Sequence, residues 1–104
     1  MADASKFKIV IKPDAADELS AIRTFDRRRI VDDIDSELGL DADVETKRKK
    51  LLDGVIAGFL FEPPLWELKI GDYRVYYDVK RIELMVYIRA VRFKGTRTTA
   101  EVLR

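Results

Sequence analysis

The stretch LKIGDYRVYYDV, residues 68–79, constrains the fold more than any other part of the chain. Two runs that alternate apolar and polar residues are separated by Gly71-Asp72, and such a pair is a strong signal for a two-residue β-hairpin. With the turn at Gly71-Asp72, facing residues carry numbers that sum to 143. A slip of one residue would exchange the two faces, so this register decides which side chains reach the core.

A third run, about residues 84–92, is expected to pair with the second across a turn at Arg81-Ile82, with facing numbers summing to 163. One face of the meander then reads Ile70/Tyr73/Ala90, Leu68/Val75/Ile88 and Trp66/Tyr77/Val86, apolar apart from the tyrosine hydroxyls. This is the expected core face. Upstream, FKIVI at 7–11 alternates and is β-branched, which predicts a strand ended by Pro13 and Asp14. Asp14 is the expected N-cap of a helix with Ala15, Leu19, Ile22 and Phe25 at helical spacing. A second helix is expected from about Asp26 to Leu38, with Ile30, Val31, Ile34 and Leu38 on one face and Gly39 at C′. DADVETKRKKLLDG reads as a loop with a short helical turn, VIAGFLFEPP as an irregular connector closed by Pro63 and Pro64, and KGTRTTAEVLR as a tail ending in a short helix. The expected fold is α+β: one domain over residues 1–104, an antiparallel sheet of about four strands, and an N-terminal helical hairpin packed on one face.

A chain of 104 residues fits a single core, burying roughly 65% of the surface its unfolded form exposes. Cysteine and histidine are both missing, which removes disulfides, thiolate nucleophiles and the commonest general base and metal ligand. No metal or other cofactor is expected. The N-terminus has no apolar signal-peptide core, and no apolar run approaches the ~20 residues of a membrane span, so the expected location is cytoplasmic. The net charge of +1 conceals an asymmetry: residues 1–46 carry 7 basic and 12 acidic side chains, and residues 47–104 carry 13 and 7. Either the C-terminal half meets an anionic partner or the halves complement each other.

The polar face of the meander favours the first alternative. Its expected rows are Lys69/Arg74/Arg89, then Glu67/Tyr76/Tyr87, then Asp78/Met85. Three cations side by side on adjacent strands repel, by a few tenths to about 1 kcal/mol per pair. A bound anion would remove that repulsion. Tyr76 and Tyr87 offer flat faces for stacking bases, and Arg92, Lys94 and Arg97 carry the charge towards the tail. The alternative is a solvated face whose basic stems cover apolar area. The run TKRKK contributes Lys49 and Lys50 as further candidate RNA contacts, although such a run is also an ordinary solvated face.

The order strand, helical hairpin, three-stranded meander, together with LWELKIGDYRVYYDV and MVYIRAVRFKGTRTTAEVL, resembles the RelE/ParE superfamily of toxins from toxin–antitoxin pairs. The resemblance covers nearly the whole chain. It implies a RelE-like mRNA endoribonuclease that acts on the ribosome without metal. Two other outcomes stay open: a ParE-like toxin that binds DNA gyrase, or a catalytically degenerate member that binds RNA or antitoxin. An antitoxin protein is the implied partner, in a toxin–antitoxin hetero-oligomer. By position, Lys69 matches a second-strand lysine, Arg74 the motif arginine, and Lys94, or Arg92, the late basic group. Glu67 stands where some members carry another lysine, and Thr98, Thr99 and Ala100 occupy a region that elsewhere holds tyrosine or histidine.

Cleavage by such an enzyme uses the RNA 2′-hydroxyl as nucleophile. Arg74 is the expected phosphate clamp, because a planar guanidinium binds two oxygens and stays charged. Lys69 and Arg89 flank it. Glu67 is the candidate base, being the carboxylate beside the cationic row, and Lys94 or Tyr76 is the candidate acid. The alternative for Glu67 is a plain cross-strand salt bridge.

Overall fold

A computed structural model describes residues 6–104. The elements are β1 (Lys8–Ile11), α1 (Pro13–Ser20), α2 (Thr24–Leu38), β2 (Lys49–Leu52), β3 (Leu65–Ile70), β4 (Tyr73–Lys80), β5 (Met85–Phe93) and α3 (Thr99–Leu103). They form a five-stranded sheet in the order β1-β5-β4-β3-β2. The expected four antiparallel strands therefore become five in a mixed sheet, because β1 pairs parallel with β5 at one edge and β2 adds the other.

The β3–β4 turn is as expected, pairing Trp66 with Tyr77, Leu68 with Val75 and Lys69 with Arg74. Gly71 has φ +57, the positive value that the first central position of a type II′ turn requires. The register of β4 with β5 is not as expected. The connection spans four residues rather than two, so Lys80 faces Met85 and Tyr77 faces Ile88, which leaves the faces unchanged. A bulge between Tyr76 and Tyr77 then admits one extra residue, so Tyr76 faces Ala90, Val75 faces Val91 and Arg74 faces Arg92. Ala90 leaves the expected core face, and Val91 takes its place.

The helices cover the face of Leu68, Ile70, Val75, Tyr77, Val86, Ile88 and Val91 with Ala15, Leu19, Ile30, Ile34 and Leu38. Their ends differ from expectation. Lys12, not Asp14, is the N-cap of α1, since Pro13 with its fixed φ suits the first helical position. Gly39 ends α2 in the right-handed region, at φ −66, not in the left-handed C′ conformation. The opposite face of the sheet carries a second, smaller core. Leu52, Leu65, Tyr76 and Ala90 are covered by Val102 and Leu103 of α3 and by Val55, Ala57, Phe59 and Phe61 of the connector. Thr98 and Glu101 start α3 with a reciprocal capping box.

Within TKRKKLL, Lys49–Leu52 form β2 and not a helical turn. The Thr46 hydroxyl accepts from the backbone of Arg48 and Lys49, which turns the chain into β2, and Lys49 pairs with Leu68. That register puts Lys49 on the helix-covered face. Its ammonium donates to the carbonyls of Glu37 (3.1 Å) and Asp41 (2.7 Å), at and just beyond the end of α2.

Candidate nucleic-acid interface

The hairpin turn sets the site. Lys69 and Arg74 flank it on β3 and β4, and the bulge adds Arg92 to their row in place of Arg89. The Lys94 backbone N–H donates to the Asp72 carbonyl (2.7 Å), which brings the end of β5 against the same turn. The side chains differ in freedom. Lys69 is exposed. Arg74 is 12% exposed; its Nη1 donates to the carbonyls of Gly71 and Tyr73, both at 2.9 Å, and its Nε lies 4.0 Å from Glu67 Oε1. Lys94 Nζ donates to the Arg97 carbonyl (2.5 Å), and Arg97 donates to the Phe93 carbonyl. Lys50 is exposed on β2, opposite Glu67. Lys69, Arg74, Lys94 and Arg97 thus gather at one end of the sheet.

Several candidate residues serve the fold instead. Tyr76 is 0% exposed, lies beneath Phe59 with ring centroids 5.9 Å apart, and donates its hydroxyl to Glu67 Oε2 (2.9 Å). Burial, then the Glu67 charge, pushes its phenol well above the ordinary tyrosine range. A sealed phenol that holds its proton this firmly can neither stack a base nor act as an acid. Lys49 is ruled out as an RNA contact by the carbonyls it caps. Arg89 leaves the cationic row, because the bulge directs it to Asp78, with Nε 2.7 Å and Nη2 3.2 Å from the carboxylate. Asp78 is 2% exposed and also accepts from the Glu62 backbone N–H (2.9 Å). Tyr87 keeps partial exposure, with Lys12 and Arg89 lying 5.7 and 5.2 Å from its ring centre.

Arg92 lies in the row but is fully engaged. Its Nε donates to Glu18 (2.9 Å), its Nη1 to the Val102 carbonyl (2.7 Å), and its guanidinium lies 5.0 Å from the Phe59 ring centre. It joins α1, α3 and the connector to the sheet and is not a free phosphate contact. Glu18 was not legible as a site residue: it also accepts from the Val91 N–H (2.9 Å), on a stretch of β5 beyond its pairing with β1. Thr98, in the region that the resemblance linked to a tyrosine or histidine, caps α3 and so holds a structural position.

No family model matches the sequence, and no curated protein matches it. Solved structures do share the fold. The archaeal RelE–RelB complex from Pyrococcus horikoshii OT3 contains a chain that superposes with a TM-score of 0.67 at 20% identity, over 88% of this chain and 98% of that one. The toxin–antitoxin complex RelBE2 from Mycobacterium tuberculosis gives a TM-score of 0.69 at 17% identity, over 85% of this chain and 98% of the other. The class defined is therefore a RelE-like α+β domain.

Proposed function

We propose that this chain is the toxin of a toxin–antitoxin pair and cleaves mRNA on the ribosome. The observation that carries the reading is the gathering of Lys69, Arg74, Lys94 and Arg97 around one hairpin turn, on a RelE-like fold. In cleavage, the 2′-oxygen attacks phosphorus and the bond to the 5′-oxygen breaks, leaving a 2′,3′-cyclic phosphate. Glu67, beside Arg74, takes the 2′-hydroxyl proton. Arg74 exchanges its two carbonyl partners for the phosphorane oxygens, with Lys69 adding charge, and Lys94 gives a proton to the departing 5′-oxygen. The partner is an antitoxin protein, as in the two complexes that share the fold.

A second reading has its own support. Glu67 already binds the Tyr76 hydroxyl, and Tyr76 is sealed, which suits a toxin that binds RNA, gyrase or antitoxin without cutting. Primer extension on translating ribosomes with a defined mRNA separates the two. Cuts in the A-site codon that disappear with Arg74→Ala support the nuclease. Intact mRNA at excess protein rejects it, and inhibited gyrase supercoiling would then establish the second reading.

A further inference from the structure

The turn end of the sheet touches a second basic surface that the cleavage site does not use. Arg29 of α2 lies against Gly71: a Cβ at that glycine would sit 3.0 Å from Arg29 Nη2 and 3.2 Å from Nη1. Arg74 donates to the carbonyl of the same residue. Gly71 therefore stands between two guanidinium groups, one from the sheet and one from the helix layer.

Arg29 belongs to a basic run. Arg27, Arg28 and Arg29 are consecutive near the start of α2. Arg27 turns back to the carbonyls of Ser20 (3.3 Å) and Ile22 (3.2 Å), which accounts for it. Arg28 and Arg29 are exposed and have no ion pair among the described residues. They line an open groove of about 480 Å³ with Thr24, Phe25 and Asp32. Phe25, expected from its spacing to face the core, is 78% exposed beside them. An exposed aromatic ring next to two unpaired arginines supplies stacking and charge together, the combination that holds single-stranded nucleic acid.

We infer that the α2 groove is a second RNA contact: a single strand crossing the Lys69–Arg74 end of the sheet continues over Gly71, places phosphates on Arg29 and Arg28, and stacks a base on Phe25. The inference rests on the proposed RNA-directed function. Asp32 also lines the groove and opposes an anion at that point.

The test is fluorescence anisotropy with a labelled twelve-residue oligouridine over a series of salt concentrations. Phe25→Ala is expected to weaken binding about tenfold at unchanged salt slope, as the loss of one base stack does. Arg28→Ala/Arg29→Ala is expected to weaken binding and to reduce the slope of log K against log salt by about 1.4, two phosphate contacts on a single strand. All of these side chains are exposed, and an unchanged circular dichroism spectrum controls for folding. Wild-type affinity and slope in both α2 variants, with weaker binding by Arg74→Ala, would overturn the α2 contact and leave the sheet site standing. Loss in the α2 variants with Arg74→Ala unaffected would refute the continuous path, and the sheet reading with it. Lost binding of an acidic helical peptide by the α2 variants, with RNA affinity intact, would reassign the groove to a protein partner.

Discussion

Gly58→Ala tests how the second core is closed. The Gly58 N–H donates to the Leu103 carbonyl (2.7 Å), and a Cβ at this glycine would sit 2.0 Å from the Arg104 carbonyl oxygen and 2.7 Å from its carbon. Both are backbone atoms, so no rotamer change relieves the clash; Arg104 must swing away and draw with it the Leu103 carbonyl that Gly58 binds, which loosens α3. Releasing α3 exposes Val102 and Leu103, each 1% exposed now. The two side chains account for about 1.5–3 kcal/mol each and the lost hydrogen bond for about 1. Regained chain freedom offsets much of that total. We expect a net loss of about 2 kcal/mol, which lowers Tm by roughly 8–15 °C in a domain of this size. Two assays report it: thermal unfolding followed at Trp66, and tryptic cleavage after Arg97, which should accelerate. Adding Leu103→Ala to the variant should cost little further, because α3 is already released. An unchanged Tm with α3 still protected, or full additivity with Leu103→Ala, would refute the close approach at Gly58.

Three more outcomes follow from buried polar groups. Lys49→Met keeps the stem but removes the ammonium that donates to the Glu37 and Asp41 carbonyls at the end of α2, Asp41 keeping only the Val44 N–H, so urea unfolding should show a loss of about 1–2 kcal/mol, with RNA affinity unchanged; a loss below about 0.5 kcal/mol would refute the role. Arg89→Ala strands the Asp78 carboxylate and should cost about 3–5 kcal/mol, and Asp78→Asn in the same chain should restore part of it, measured by the same unfolding assay. Burial pushes the phenols of Tyr76 and Tyr77 above the ordinary range. Their folded-state values lie above the unfolded ones, so their contribution is complete below about pH 10 and is lost as pH rises above it. Absorbance titration should therefore show two of the four tyrosines ionising only with alkaline unfolding; four ordinary titrations in the folded protein would contradict the burial.

What could be read from the sequence follows from range. The hairpin turn and the helix-covered face depend on local signals, a glycine at a positive φ and alternation over six to eight residues, and both are present. β2 was missed because a lysine-rich run carries no alternation signal. Lys49 lies on the covered face only because α2 ends nearby with carbonyls to receive it. The second core was not read from the sequence. The connector and tail were expected to leave the polar face of the meander open, and the placement of Phe59, Phe61, Val102 and Leu103 against Tyr76 depends on tertiary contact alone.

The bulge decides most of the site. One inserted residue in β5 takes Arg89 out of the cationic row, where it neutralises the sealed Asp78, and brings Arg92 in, where it binds Glu18 and Val102. The row of three cations survives, but its outer member is anchored through acceptors on α1 and α3. The repulsion that first pointed to an anion is thereby partly answered within the protein, at Arg92 by Glu18 and at Arg74 by the turn carbonyls and the nearby Glu67. Lys69 has no such relief in the row. The free cationic surface lies around the Gly71 turn, and it extends from there towards α2, the direction in which Arg29 lies. A substrate strand placed by charge alone would follow that edge and not cross the sheet towards Tyr76.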